Sequence, residues 1–384
     1  MPRHWGGSSP CCGPGHRPIR RENPQYLQLV GLYRRRYNQE FRKKETGIKV
    51  RYDNFDSNEI LHAKLVAGRT GYDIVVPSAH WARLQIDAGL LRKLDKSKIP
   101  NLVNLDPTIQ AQLAKLDPNN DHLVDWLWGY TTVGINVDKV KAALGDLPMP
   151  ENVFDLVFDP KYMAKVKSCG VSFLDAPSEI VPPALRYLGK KSLFKKTVAI
   201  TRMRAACCRK IRPYVTLFSS SGYINDMANG SICVALGWSG DMNIARQRAI
   251  DAKNGNKIEV LVPKNGATLF FDTMAIPSDA QHPNNALLFM NYILRPEVHA
   301  GLTNKVFYAN PNTASIKFVK KRDLREQVSL PVRCRQNEDD CTGIREQRYP
   351  TSNDAALHPV QDRTLIPEHV IRIRRMTCFA FGKT

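Results

Sequence analysis

The sequence predicts an α/β fold in two lobes, each a mainly parallel sheet flanked by helices. Short apolar runs alternate with segments of helical periodicity through residues 45–189 and 211–318. This alternation indicates parallel strands that helices cover on both faces. About 250 residues follow the pattern, which is more than one small sheet needs, so two lobes are expected.

The first part of the organised sequence predicts a helix at residues 56–68, a strand at 73–77 and a second helix at 79–88. Ahead of it, the apolar alternation at residues 26–33 is compatible with a further strand. The first helix carries its own boundary signals. Asp56 is a typical cap with Glu59 three residues later, and Gly68 is typical of a helix end.

The later part repeats the alternation. Apolar runs typical of strands occur at residues 171–174, 233–236, 258–262 and 268–276. Helical signals occur from residues 175–179 onward, at 224–228 and at 285–294, the last helix being closed by Pro296.

The net charge of +20 is confined to three segments that lack this pattern. Residues 1–44, 190–210 and 319–384 carry 31 basic and 11 acidic residues, whereas the other 253 residues carry 25 of each. Seven of the nine cysteines also lie in these segments. The organised part is neutral, and the basic segments lack aromatic residues at a spacing useful for nucleic-acid binding. A basic nucleic-acid-binding protein is therefore only a secondary hypothesis.

Motifs that carry catalysis or bind metals are missing from the sequence. It contains no GxSxG, P-loop, HExxH or strand-linked GxGxxG, and no cysteine spacing typical of zinc or redox sites. We therefore expect neither an enzyme nor a cofactor or metal site.

Candidate ligand-binding residues follow the predicted strands, because open parallel sheets bind ligands beyond the carboxyl ends of their strands. They are three carboxylates, three aromatic residues and a hydroxyl: Ser78, Glu179, Trp238, Asp241, Phe270, Asp272 and Tyr308. Carboxylates bind ammonium groups, ring faces attract cations, and apolar surface favours methylenes. The set predicts a slender ligand with cationic ends, such as a diamine or polyamine.

Each candidate also has a purely structural interpretation. Asp241 and Asp272 are typical turn or cap residues, and Glu179 is a typical partner of a helix dipole. Ser78 is a typical helix cap, and the three aromatic residues are typical of a core.

Seven segments in order along the chain match one known family. They are ETGIKV at 45–50, GYDIVVPS at 71–78, GINVD at 134–138, SCGVSFLDAP at 168–177, GYIND at 222–226, GWSGD at 237–241 and VFYAN at 306–310. The chain resembles, over about two-thirds of its length, the putrescine-binding periplasmic proteins of bacterial polyamine ABC transporters.

The resemblance implies a type II periplasmic-binding-protein clamshell whose interlobe cleft holds the seven candidate residues. Asp241 and Asp272 would engage ammonium groups with help from Glu179, and the aromatic residues would enclose the methylenes. It also implies a monomeric, non-catalytic periplasmic protein that hands putrescine or a related polyamine to an inner-membrane ABC permease, with no nucleic-acid partner. In that oxidising compartment Cys169 and Cys233 are expected to pair.

The resemblance also implies a division into lobes. Lobe 1 comprises 25–134 plus 262–312 and lobe 2 comprises 135–261, with crossovers near 132–136 and 259–262. The remaining segments are a disordered tail at 1–24, an aberrant loop at 190–210, and an aberrant segment at 313–384 in place of lobe 2 helices.

The three aberrant segments suggest frame-shifted translation, because family patterns stop at their edges. No secretory signal is visible in the first 25 residues, and a Trp-Ser-Asp-Tyr-like motif of the family is missing near the start. His80 and Trp81 also differ from the residues usual beside Ser78. A non-functional product of such a gene and a polyamine-handling enzyme are therefore two further hypotheses.

Overall fold

The computed structural model describes residues 26–30, 41, 46–189, 209–263, 267–320 and 358–359. The predicted tail at 1–24, residues 190–208 of the predicted loop, and residues 321–384 apart from 358–359 lie outside the described residues.

A parallel three-stranded sheet stands first in the described chain. Its strands are β1 (Tyr26–Val30), β2 (Lys49–Asp53) and β3 (Ile74–Val75), in the order β2-β1-β3. The helices that follow are α1 (Asn58–Ala67), α2 (Ala79–Asp87) and α3 (Pro107–Leu113).

A long strand, β4 (Val124–Asn136), connects two sets of strands. Its first part pairs antiparallel with β9 (Thr268–Met274). Its last part pairs antiparallel with β7 (Val234–Trp238) and β8 (Ile258–Val260). The sequence predicts a crossover here but not the full strand, because all 13 residues are buried and show no apolar–polar alternation.

The second parallel group has the order β7-β5-β6, with β5 (Val171–Phe173) and β6 (Leu217–Phe218). Among the described residues, the helices of this part of the chain include α4 (Val137–Leu144), α5 (Asp155–Phe158), α6 (Pro160–Val166), α7 (Pro177–Tyr187), α8 (Tyr223–Asn229) and α9 (Ser239–Ala252).

The last described elements are α10 (Pro283–Ile293), α11 (Pro296–Val306), a 3₁₀ helix at Thr313–Phe318 and β10 (His358–Pro359), which pairs with β9. Asn304 of α11 accepts a hydrogen bond from the Lys320 backbone N–H at 2.8 Å. Residues 313–320 of the predicted C-terminal segment therefore fold against α11. Shorter 3₁₀ helices occur at Lys96–Lys98, Pro100–Asn104, Pro118–Asn120, Lys167–Cys169 and Arg212–Tyr214.

Two large hydrophobic cores give the described chain its two-lobed α/β form. One core is built only from residues between Val133 and Ile258 and includes Phe173 and Leu236. The other combines residues from both sides of that stretch, such as Trp126 and Phe289. Smaller clusters around Leu61 and around Trp128 pack beside it.

Two helix boundaries differ from the sequence prediction. The cap of α1 is Ser57 rather than Asp56, since the Ser57 hydroxyl accepts the Ile60 N–H at 3.4 Å. Pro296 was predicted to end a helix, and it is also the first residue of α11. Proline is tolerated at the first helical position because its missing N–H would have no partner within the helix.

Cys169 and Cys233 form a disulfide bond, which joins the 3₁₀ helix Lys167–Cys169 to the residue before β7 across 64 residues of sequence. Within the part of the chain that the structure describes, no helix is long and apolar enough to cross a membrane.

Candidate binding site

Ser78 and Asp272 meet at the boundary between β9 and the start of α2. The Ser78 hydroxyl donates to Asp272 Oδ1 at 2.7 Å and accepts from Asn58 Nδ2 at 2.9 Å. Ser78 is the N-cap residue of α2, yet its side chain makes no capping hydrogen bond. The hydroxyl therefore serves Asp272 rather than the helix. We call Ser78, Asn58 and Asp272 the Asp272 end of the site.

Asp241 lies in the first turn of α9, where two tyrosines hold it. Tyr223 donates to its Oδ2 at 2.9 Å and Tyr308 donates to its Oδ1 at 2.8 Å. The Tyr223 hydroxyl also accepts the Trp238 backbone N–H at 3.3 Å. Burial raises the pKa values of both tyrosines, so both remain donors at neutral pH. We call Asp241, Tyr223 and Tyr308 the Asp241 end.

Glu179 lies in the first turn of α7 and is almost fully buried. It accepts a hydrogen bond from Thr131 Oγ1 of β4 at 2.8 Å and another from the Trp238 side chain. Glu59 of α1 accepts the Ser178 backbone N–H at 3.4 Å, which brings a further carboxylate close to Glu179. Glu179 is thus bonded to specific side chains and does more than face a helix dipole.

Phe270 and Tyr308 form the aromatic part of the site, with ring centroids 6.2 Å apart and an interplanar angle of 60°. Both are buried and also belong to the second core. Two glycines make room for them. A Cβ at Gly240 would overlap the Tyr308 ring, and a Cβ at Gly129 would lie 2.9 Å from Phe270.

Desolvation raises the pKa values of the carboxyls in this cluster. It raises the pKa of Asp241 to about 6, against the lowering effect of the Tyr308 and Tyr223 hydrogen bonds. Desolvation, together with the charges of Glu179 and Asp241, raises the pKa of Asp272 to about 7 against the lowering effect of the Ser78 hydrogen bond. The pKa of Glu179 is also raised by desolvation and by the charge of Glu59.

No lysine or arginine in the described ranges forms an ion pair with Glu179, Asp241 or Asp272. Arg248 acts on Asp241 only from a distance and hydrogen bonds to Asn225 instead. Carboxyls removed from water without a paired cation favour either a proton or a cationic ligand.

The structure brings all seven predicted residues into one connected cluster. Hydrogen bonds and ring contacts link Glu179 to Trp238, Trp238 to Asp241 through Tyr223, and Asp241 to Phe270 through Tyr308. The charge interactions of Asp272 with Glu179 and Asp241 connect it and Ser78 to the rest.

Both large cores contribute neighbours to the cluster. Phe270 and Tyr308 belong to the second core, whereas Glu179 and Asp241 lie on helices whose neighbouring residues belong to the first. Trp238 packs against both cores. The cluster therefore lies where the two cores meet, as expected of a ligand cleft between lobes.

Sequence reasoning missed the residues that position the carboxyls, namely Asn58, Thr131 and Tyr223. Each acts through a hydrogen bond to a residue distant in sequence, and no local pattern signals such a bond. Tyr223 stands in the GYIND segment, and only its side-chain partner was unknown. Among the described residues, no group of three His, Cys, Asp or Glu side chains has an arrangement that could hold a metal ion.

The fold and this cluster together define a two-lobed binding protein for a small solute. Residues 37–324 match the family of bacterial extracellular solute-binding proteins, and the chain belongs to that family.

Two relatives are each 50% identical to this chain. One is the putrescine-binding periplasmic protein PotF of Escherichia coli, similar over 288 residues that make up 75% of this chain and 77% of PotF. The other is the putrescine-binding periplasmic protein SpuD of Pseudomonas aeruginosa, similar over 280 residues that make up 72% of this chain and 75% of SpuD.

Among solved structures, the chain is similar to the spermidine/putrescine ABC transporter substrate-binding protein PotD of Streptococcus pneumoniae. The TM-score is 0.60 at 26% sequence identity, and the match covers 79% of this chain and 87% of PotD.

Proposed function

We propose that this chain captures putrescine or a related polyamine between its lobes and delivers it to the permease of an ABC importer. The observation that carries the proposal is the cluster of Glu179, Asp241 and Asp272 beside aromatic rings, with no lysine or arginine of the described chain paired to them. An anionic or neutral solute would leave these carboxyls uncompensated.

The chemistry of a diamine matches each part of the cluster. An ammonium group that hydrogen bonds to a carboxylate gains roughly 1.5–3 kcal/mol. A cation on a tryptophan or tyrosine face gains about 0.5–2 kcal/mol, and each buried methylene about 0.8 kcal/mol. Asp241 and Asp272 would hold the two ends of the ligand, Glu179 would assist, and Trp238 and the other two rings would enclose its apolar middle.

The relatives support this assignment, since PotF and SpuD are both putrescine-binding periplasmic proteins and PotD is a spermidine/putrescine substrate-binding protein. Capture requires no covalent step, and we propose that the chain is a monomer that binds without catalysis and needs no cofactor.

The lobes of the proposal are residues 25–134 plus 262–312 and residues 135–261. The separate membership of the two cores supports this division. The pairing of Gly134–Asn136 in β4 with Ile258–Val260 in β8 supports the proposed crossovers near 132–136 and 259–262. Bending of these paired strands would close the lobes around the ligand.

We place the functional protein in the periplasm, where a permease of the inner membrane would receive the ligand. The Cys169–Cys233 bond supports this location, because disulfides persist in oxidising compartments. Mass mapping of secreted protein under non-reducing conditions tests the pairing, and two free thiols would reject it.

Calorimetric titration with putrescine, spermidine and spermine at pH 8 tests the proposed function. Putrescine should bind, whereas 1,4-butanediol, which has the same carbon chain without charge, should not. The Asp146→Asn variant, altered at an exposed aspartate, serves as the matched control and should bind like the wild type. Tight binding of the uncharged diol, or no binding of any amine by folded protein, would overturn the proposal.

A further inference from the structure

Asp125 is a buried carboxyl outside the seven-residue cluster. It lies in β4 with no exposed surface, and neither of its carboxyl oxygens has a hydrogen-bond partner of regular geometry. In the described chain, Asp125 is therefore a buried acid whose oxygens lack a hydrogen bond of regular geometry, which is rare in folded proteins.

The register of β4 and β9 places Asp125 next to the Asp272 end. Asp125 pairs with Thr273, the residue that follows Asp272, and the pairing is irregular between Asp125 and Leu127. Opposite Cα atoms of antiparallel strands lie about 4.5–5.5 Å apart, and such an irregularity redirects side chains from strict alternation. The two carboxyls thus belong to neighbouring positions of one strand pair.

The surroundings of Asp125 offer it no cation. The charged group of the described chain that acts on it is Asp272 of β9. From α11, His299 hydrogen bonds to the carbonyl of Trp126, but burial lowers the pKa of His299 to about 4, so the ring is neutral. Tyr130 is the other titratable residue of β4.

An unpaired carboxyl in such a place holds a proton. Burial raises the pKa of Asp125 well above its usual range and the charge of Asp272 raises it further, against a lowering effect of the neighbouring Trp126 N–H. Asp272, which is partly exposed and hydrogen bonded to Ser78, ionises first. Before a ligand binds, this end therefore favours an ionised Asp272 beside a protonated Asp125.

We propose that Asp125 is a positioning residue of the Asp272 end that releases its proton to solvent when the ammonium group of a ligand binds at Asp272. The bound cation offsets the repulsion between the two carboxylates, so a second negative charge becomes stable there. The ligand keeps its own protons, and the site gains one negative charge. This inference rests on the proposed capture of a polyamine.

Calorimetry at pH 8 in buffers of different ionisation enthalpy tests the release. At that pH, Asp241 and Asp272 are already largely ionised in the ligand-free protein, since their pKa values are about 6 and about 7. Putrescine binding should release roughly 0.5–1 proton from the wild type and about 0.1 from Asp125→Asn. Asp125→Asn should also bind ~10-fold more weakly and lose the rise in affinity between pH 8 and 9.

Asp146→Asn is the matched control and should show the wild-type proton count. A second measurement needs no variant, because putrescine should bleach the infrared band of a protonated carboxyl in wild-type protein at pH 8. Equal proton release by folded Asp125→Asn and wild type, or an unchanged infrared band, would overturn the role of Asp125 while leaving polyamine capture intact. Absence of putrescine binding by the wild type would instead reject the proposed function itself.

Discussion

The two ends of the site hold their carboxyls in different ways. At the Asp241 end, each oxygen of a buried aspartate accepts a hydrogen bond from a tyrosine. At the Asp272 end, one oxygen of a partly exposed aspartate accepts a hydrogen bond from Ser78, and the neighbouring buried Asp125 has no side-chain donor. The pKa of Asp241 is raised to about 6 and that of Asp272 to about 7.

This difference shows how donors set the charge of a buried acid. Hydrogen bonds to a carboxylate favour its ionised form, so two tyrosines offset part of the desolvation that Asp241 suffers. Asp272 has fewer donors and more negative neighbours, and it therefore depends more on the ligand for compensation. The Asp241 end is preorganised, whereas the Asp272 end is completed by the cation.

The largest expected effect is the loss of affinity in acid. Ammonium binding needs ionised carboxyls, so affinity should fall as the pH falls through the pKa of Asp272 at about 7 and then through that of Asp241 at about 6. Between pH 8 and pH 5 the affinity for putrescine should fall ~1,000-fold. Titration calorimetry across this pH range measures the affinity. An affinity that does not change with pH would contradict the comparison of the two ends.

The next effect separates the ends by substitution. Asp241→Asn should weaken putrescine binding ~100-fold or more at pH 7, because it removes an ionised group and leaves one tyrosine donor without an acceptor. Asp272→Asn should cost less at pH 7 than at pH 8.5, because Asp272 is half protonated at pH 7. Calorimetry of both variants at both pH values gives the measurement. Equal losses at the two pH values for Asp272→Asn would contradict the assigned ionisation.

A smaller effect concerns the preorganised end. Tyr223→Phe removes one donor to Asp241 and the acceptor of the Trp238 N–H. Affinity for putrescine at pH 7 should fall ~10-fold. The loss of affinity that accompanies protonation of Asp241 should also begin at a higher pH, since the ionised carboxylate loses a hydrogen-bond donor. A pH profile measured by calorimetry separates this from simple loss of packing, which would weaken binding without shifting the pH at which affinity falls.

The smallest effect is expected at the opposite end. Ser78→Ala removes the hydroxyl that donates to Asp272, and water can replace it because Asp272 is partly exposed. Affinity at pH 7 should fall by about 3-fold to 5-fold. It should fall by less at pH 8.5, where Asp272 is ionised even without the Ser78 hydrogen bond. An effect of Ser78→Ala larger than that of Tyr223→Phe would reverse the comparison of the two ends.

Much of this site was predictable from sequence because short apolar runs indicate where strands end. Such runs predicted β3, β5 and β7, and the structure brings together the polar residues that follow these strands. The long strand β4 was not predictable in full, since burial of both faces removes its alternation. For the same reason Asp125 gave no signal, as one acid within a buried strand has no pattern around it.

The residues that position the carboxyls could not be predicted from the sequence, for a different reason. Asn58 meets Ser78 across 20 residues of sequence, Thr131 meets Glu179 across 48, and Ser78 meets Asp272 across 194. Such bonds depend on how strands and helices pack, and residue type alone does not specify them. The chemistry of the cluster could be predicted, but the way each carboxyl is held could not.

The most direct test of the account is a crystal structure of the chain with putrescine at pH 8. One ligand nitrogen should lie within hydrogen-bond distance of Asp241 and the other within that distance of Asp272, with the methylenes against Trp238 and its neighbouring rings. A ligand bound elsewhere, or one held with both nitrogens away from these two carboxylates, would contradict the account.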